Sequence, residues 1–328
     1  MAEIKIFVSH RIDVNSEQIE NPFYVPIRCG AVFDQKNPMN IAGDDTGDNI
    51  SERRMSFCEF TVQYWAWKNV RADYYGLCHY RRYLSFADTR YPKKDHGMVE
   101  EQWLNQASIH KYGLDQARQM EEMISRCDVI TSEPADVRQL VTPKGFQRTV
   151  RELWEANVGL LLEEDSIPKL LELISRLTPE YKEAAEGYLA GAEHRGYNCY
   201  ILRKDLFDRL CRFQFPILFE MEKYQQECGT LSRVPGYIGE ILYGIFMYQI
   251  TKLEKWRIKE LQLVLFRDTV PVRNALDLAW RRIKRGANRA VRAAVDPIMP
   301  KGSQRREAVK RTYYAVTQPK RRGAASIK

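Results

Sequence analysis

Between residues 4 and 79 the chain reads strand, loop, helix, strand, an order that a sheet accommodates by parallel pairing with a crossover helix. Residues 4–9 (Ile-Lys-Ile-Phe-Val-Ser) alternate well enough for a strand, and Ser9, His10 and Arg11 stand at its end. Residues 22–27 read as a loop or short strand and 43–49 as a turn-rich acidic loop. Asn49 and Glu52 have capping-box spacing for a helix over about 50–69. Its apolar positions are Phe57, Phe60, Tyr64 and Trp67, with Cys58, Val62 and Trp65 beside them. That helix feeds Tyr74, Tyr75, Leu77 and Cys78, a short apolar run suited to a buried strand.

Farther on, residues 87–113 read as a polar and aromatic excursion, 113–126 as a helix and 128–131 as a strand ending in Ser132-Glu133-Pro134. Helices are expected over 144–162 and 166–190, a strand over 198–202, and helices over 203–222 and 236–251, with the core closing near Phe266. The expected class is α/β with a mixed, mostly parallel central sheet.

The strand over 74–78 runs into His79-Tyr80-Arg81-Arg82. Ionisable groups at the carboxyl end of a strand lie where α/β folds bind ligands. Guanidinium offers forked donors and a permanent charge, so the segment suits a phosphate. A solvated basic turn is the alternative. The chain has no Walker loop, no GxGxxG after a strand and no GxSxG elbow, which disfavours triphosphate hydrolysis, dinucleotide binding and α/β-hydrolase chemistry. A nucleoside diphosphate held by side chains is the remaining sensible ligand. Transfer from such a donor needs the leaving diphosphate neutralised, a task for His79, Arg81 and Arg82. It also needs a carboxylate to take a proton from the incoming hydroxyl. Glu193, Glu240 and Asp136 are the candidates, with Glu240 first because Pro-Gly-Tyr-Ile-Gly-Glu leads a helix out of a glycine turn. A helix N-terminal acid answering the dipole is the plainer reading of Glu240. The acidic loop Asp44-Asp45-Thr46-Gly47-Asp48 reads either as a divalent-metal site or as a surface turn that supplies a helix cap.

Seven cysteines and five histidines are scattered without CxxC or HxxxH spacing, which argues against a zinc site and a disulfide framework. No apolar run reaches 18 residues, so no transmembrane helix is expected. The first residues lack a signal peptide's basic and apolar regions, so a cytoplasmic location is expected. Charge is unevenly spread. Residues 267–328 hold 17 Lys or Arg against 4 Asp or Glu, a net +13, whereas residues 1–266 are net −5. We therefore expect two parts, 1–266 as the catalytic domain and 267–328 as an interaction tail. Within the tail, Leu276, Leu278, Trp280, Ile283 and Val291 interleave with Arg281, Arg282, Lys284, Arg285, Arg289 and Arg292. That is the pattern of an amphipathic basic helix lying on an anionic membrane. A disordered solubilising tail and a nucleic-acid-binding tail are the alternatives, nucleic acid being the least favoured.

Several strings carry a family resemblance: Ile-Phe-Val-Ser-His-Arg at 6–11, Pro-Ile-Arg-Cys-Gly-Ala at 26–31 and Gly-Asp-Asp-Thr-Gly-Asp-Asn-Ile-Ser at 43–51. Tyr-Trp-Ala-Trp-Lys-Asn at 64–69, Tyr-Gly-Leu-Cys-His-Tyr-Arg-Arg-Tyr at 75–83 and Gly-Tyr-Ile-Gly-Glu at 236–240 belong with them. Over roughly 3–265 the chain resembles the bacterial capsular polysaccharide synthesis glycosyltransferases, once listed as a domain of unknown function and found in capsule, exopolysaccharide and O-antigen gene clusters. The resemblance implies a GT-A-like fold and transfer of a sugar, galactofuranose or another hexose, from a nucleotide donor (a UDP-sugar first) to a lipid-linked acceptor at the inner membrane face. It implies donor contacts from Ser9, His10, Arg11, Asp44, Asp45, Asp48, Asn49, Tyr75, Arg81 and Arg82, and acceptor contacts from Glu193, Asn198 and Tyr237. Glu240 and His79 would be catalytic. The Asp-X-Asp metal motif of many GT-A enzymes is absent at the strand end. Either His79 helps to hold Mn2+ or Mg2+, or Arg81 and Arg82 replace the metal's charge. A phosphotransferase or nucleotidyltransferase using the same basic strand end, and a nucleic-acid-binding protein acting through the tail, are the competing functions.

Overall fold

The structure, a computed structural model, describes residues 2–272 apart from 35, 95 and 229–232, together with 276–281, 283, 286 and 297. It divides into two units, residues 1–271 and 272–328.

The first unit is built on a 10-stranded sheet. In chain order the elements are β1 (Ile4–Arg11), β2 (Tyr24–Cys29), β3 (Ala42–Gly43), α1 (Arg54–Phe57), α2 (Phe60–Asn69), β4 (Tyr74–His79), β5 (Arg82–Leu84) and β6 (Val99–Trp103). Then come α3 (Gln106–Lys111), α4 (Ala117–Ser125), β7 (Val129–Ser132), β8 (Ala135–Asp136), β9 (Val141–Thr142), β10 (Gly145–Phe146), α5 (Val150–Glu155), α6 (Ser166–Leu177) and α7 (Lys182–Ala190). The unit closes with β11 (Glu193–His194), β12 (Tyr200–Arg203), α8 (Lys204–Glu227), α9 (Val234–Tyr248), β13 (Ile258–Leu261) and β14 (Leu263–Asp268). The spatial order is β13-β7-β12-β4-β1-β2-β3, with β5, β6 and β14 branching from it. β1 runs parallel to both β2 and β4, the crossover read from the sequence. β12 is antiparallel to both β4 and β7, so the sheet is mixed.

Alternating side chains divide the core between the sheet's two faces, as pleating requires. Phe7, Tyr75 and Leu77 join the cluster packed under α2 and α5–α9, while Ile6, Val8, Tyr74 and Cys78 join the one under α3 and α4. Burial on both faces is why the β4 sequence is a nearly continuous apolar run.

Several sequence expectations are revised. The helix expected over 50–69 is two helices, broken at Cys58, whose φ of 53° and ψ of −130° cannot continue a helix. The capping box is not made: Asn49 Oδ1 accepts from the Ser51 N–H, and a 3-10 turn, Ser51–Arg53, opens the segment. The excursion over 87–113 contains β6, which pairs with β14, and α3. Residues 144–162 hold half of a hairpin before the short α5. Pro179 divides the helix expected over 166–190 into α6 and α7, because proline disfavours a helical conformation in the residue before it. Arg267 and Asp268, expected in the tail, belong to β14.

In the second unit residues 276–281 are helical, Arg281 pairs with Asp277 at 2.9 Å, and Leu276 and Trp280 are exposed. Most of the amphipathic segment and the second basic stretch, 305–322, lie outside the described residues. No described helix is long and apolar enough to cross a membrane.

Candidate active site

The carboxyl ends of β1, β2 and β4 meet the break between α1 and α2 and the start of α9 around a cavity of about 310 Å3. β1 contributes Ser9 and Arg11 to its wall, β2 contributes Cys29, and β4 and its turn contribute His79 and Arg81. Arg54, Met55, Cys58 and Glu59 come from the α1–α2 region and Arg233 from the cap of α9. Four guanidiniums line the wall with one carboxylate, Glu59. Asp13 forks onto Arg11 and lies 3.7 Å from Arg54, which still leaves positive charge in excess.

The local geometry at β4 follows from a two-residue reversal. His79 pairs with Arg82, so Tyr80 and Arg81 are the turn and β5 runs straight back. The Tyr80 N–H donates to Ser9 O (3.1 Å), fixing the turn to β1. The Arg81 N–H donates to His79 Nδ1 (3.4 Å), which leaves Nε2 as the protonated ring nitrogen. Burial, followed by the charges of Arg82 and Arg81, holds His79 well below the usual imidazole range, so it is a neutral donor at pH 7. The Arg81 and Arg82 Nε groups are buried with no hydrogen-bond partner in the described structure. Such donors are uncommon in a finished protein core. Arg82 lies over the Tyr197 ring, 4.9 Å from its centroid.

Two carboxylates complete the site. Glu59 follows the strained Cys58, and its Oε1 accepts from Asn198 Nδ2 (3.2 Å). Because β12 is antiparallel to β4, its amino end brings Asn198 to the carboxyl end of β4. Tyr197 and Asn198 have φ of 75° and 45°, left-handed values that cost side-chain-bearing residues energy and often mark functional sites. Glu240 shares one face of α9 with Tyr237 and Arg233. Burial first and the charge of Glu59 second raise its carboxyl to about 7, against the opposing pull of Arg82. Cys58 Sγ accepts from two Arg233 nitrogens at 3.0 and 3.2 Å, and burial pushes its thiol up to about 11. Cys58 therefore orients Arg233 as a neutral acceptor.

Gly236 and Gly239 do not form the glycine turn expected before Glu240, since both lie inside α9. A Cβ on Gly239 would sit 2.2 Å from the Phe60 ring, and one on Gly236 would sit 3.1 Å from Cys58 Sγ. The glycines let α9 close against α1 and α2. Glu240 is consequently in the second turn of the helix, not at its N-terminus.

Of the residues singled out from the sequence, Ser9, Arg11, His79, Arg81, Arg82, Asn198, Tyr237 and Glu240 gather at this edge. The others do not. His10 faces the opposite side of β1, 1 % exposed and near Tyr80, and burial lowers it to about 4. Asp44 is fully buried and accepts from the Gly30 and Ala31 N–H groups and from the Ser51 and Thr61 hydroxyls. It is a structural hub with no lone pair left for a donor. Asp45 is exposed, Asp48 accepts from the Tyr64 hydroxyl, Asn49 closes a local turn, and none of the three lines the cavity. Tyr75 lies near the opposite end of β4, stacked 4.4 Å from Phe207. Glu193 pairs with Lys252 at 3.6 Å beside a different cavity. Asp136 caps a 3-10 turn and is forked onto Arg138. Glu59, Arg54 and Arg233 were missed. The break at Cys58 that exposes the first two has no sequence signal, whereas the 233–237–240 spacing on one helix face was readable.

Mg2+ and Mn2+ take sets of oxygen ligands. Two carboxylates, Glu59 and Glu240, among four guanidiniums make a poor oxygen set for either ion, and among the described residues no group of three or more His, Cys, Asp or Glu gathers to hold a metal.

A model of the family described as "Domain of unknown function (DUF4422)" matches residues 5–252. No curated protein matches the chain. The fold is similar to that of a solved structure, the apo form of the WbbM bifunctional glycosyltransferase, with a TM-score of 0.70 and 25 % identity. The match covers 81 % of this chain and 46 % of that one, so the chain spans less than half the length of that protein.

Proposed function

The chain belongs to the DUF4422 family, and from that premise we propose that it is a glycosyltransferase moving a hexose from a nucleoside diphosphate donor to a hydroxyl of a lipid-linked glycan. The observation that carries this reading is the cavity lined by Arg11, Arg54, Arg81 and Arg233 beside a carboxyl raised to about 7. The likeness to a bifunctional glycosyltransferase supports it.

In this mechanism the guanidiniums and His79 Nε2–H hold the diphosphate and stabilise the charge that develops as the bond from the anomeric carbon to phosphate breaks. Ionised Glu240 takes the acceptor proton as the hydroxyl oxygen bonds to that carbon. Asn198 and Glu59 position the acceptor side, with Tyr237 one turn away on α9. Ser9 and Arg11 lie toward the nucleoside. The donor we favour is a UDP-hexose, UDP-galactofuranose among the sugars to try. The setting is capsule, exopolysaccharide or O-antigen assembly at the inner face of the cell membrane, with the basic tail holding the enzyme to anionic lipid.

The test is a thermal-shift and transfer screen of UDP-sugars on the wild type and Arg81→Ala, with and without EDTA. A donor at about 100 times its Kd should add roughly 2.7 kcal/mol of stability. Arg81→Ala should abolish that gain, and EDTA should leave it in place. If no nucleotide sugar stabilises the wild type, the reading fails.

A further inference from the structure

Past the carboxyl end of β7 the chain forms β8 and then the hairpin of β9 and β10, which joins no other described strand. Its register sets Phe146 opposite Val141, and directly opposed residues share a face. These two side chains are 67 and 58 % exposed. Lys144 Nζ reaches the Glu155 carbonyl at 3.5 Å, so the hairpin lies against the end of α5, where the loop carrying Leu160 departs. Leu160 is 57 % exposed. Paired on one face, exposed Val141 and Phe146 form an apolar patch of the kind that marks an interaction site.

The charge of the same stretch is one-sided. Residues 137–151 contain Arg138, Lys144, Arg148 and Arg151 and no Asp or Glu, within a domain that is net −5 over residues 1–266. Arg138 is answered by Asp136 and Arg151 by Glu155. Lys144 and Arg148 are exposed; the Arg148 N–H donates to the Glu152 carboxylate at 2.7 Å, but neither cationic side chain is ion-paired among the described residues.

We propose that this hairpin docks the enzyme on an anionic bilayer, with Val141, Phe146 and Leu160 entering the acyl boundary and Lys144 and Arg148 meeting the lipid phosphates. The proposal rests on the lipid-linked acceptor of the preceding reading and names a contact surface on the catalytic unit itself, separate from the tail. An anionic lipid surface rewards an apolar tip and basic flanks together, whereas a nucleic acid stacking on Phe146 would leave Val141 and Leu160 in water. The placement serves the chemistry. β7 runs in the same direction as β4, both being antiparallel to β12. The hairpin therefore leaves the sheet at the edge that holds the cavity, and docking brings that edge to the membrane.

Two measurements on the full-length chain test this. First, p-benzoylphenylalanine in place of Phe146 is irradiated with phosphatidylglycerol/phosphatidylethanolamine vesicles, with the same photoprobe in place of the exposed Glu122 on α4 as control. A lipid adduct at 146, absent at 122 and weak with phosphatidylcholine vesicles, is expected. Second, the V141E/F146E double variant should sediment with anionic vesicles about tenfold less than wild type while transferring sugar to a soluble acceptor at the wild-type rate. The absence of an adduct at 146, equal adducts with both lipids, or unchanged sedimentation of the double variant overturns the proposal. The vesicle readouts need no donor and the soluble assay needs no vesicle, so failure here is separable from failure of the glycosyltransferase reading.

Discussion

Glu240 retains its proton up to about pH 7 because burial and the neighbouring Glu59 charge both disfavour ionisation. A general base works ionised, so kcat/KM should rise with pH through about 7 and level off above it. Glu59→Gln removes the repelling charge, and the rising limb should move to lower pH by about one unit; a pH-rate profile of that variant checks it. Glu240→Gln should lower transfer by at least roughly a hundredfold. The same variant should be the more stable protein above neutrality. A carboxyl whose folded pKa exceeds its unfolded value contributes stability below the unfolded pKa and loses it as pH rises through the folded one. The neutral amide escapes that loss, so thermal melts at pH 8 should show a gain of about 3 kcal/mol, and melts at pH 4 little change. A variant that loses activity and stability together would point to a structural role for Glu240.

At the scale of single elements, what the sequence disclosed followed from hydrophobic pattern. β1, β4, β7, β12 and α9 were readable because burial on one or two faces writes a regular period. The segment His79-Tyr80-Arg81-Arg82 was readable because chemistry-bearing residues followed directly on such a period. What was hidden depended on partners far along the chain. Nothing local announces that Cys58 takes a positive φ, that β6 finds β14, or that Asp44 collects two backbone and two hydroxyl donors. Asp44 and Tyr75 were assigned to the donor by likeness of strings. The structure uses one to fasten a loop and the other to fill the core. Gly236 and Gly239 carried a correct address for the site with a wrong reason, since their role is contact between helices. Gly239→Ala places a methyl where the Phe60 ring lies, and should cost about 1–3 kcal/mol in a denaturant titration. Because α9 also carries Glu240, transfer should fall in the folded variant as well.

For the molecule as a whole, the charge profile divided the chain near residue 266, and the contacts divide it at 271. The candidate cavity lies at the carboxyl edge of the sheet, where open α/β sheets bind ligands, and sequence order alone placed the first two strands at that edge. The antiparallel entry of β12 was not legible, yet it is what delivers Asn198 to Glu59. One further consequence follows from the reversal at Tyr80 and Arg81. A strand that turns back within two residues has no slack, so neighbouring guanidiniums are dealt to different sides: Arg81 to the cavity wall, Arg82 to the Tyr197 ring. Lengthening that bend by a single residue would re-deal both hands at once. A redesign of the pocket would therefore have to work around this rigid corner, at exposed wall positions such as Met55.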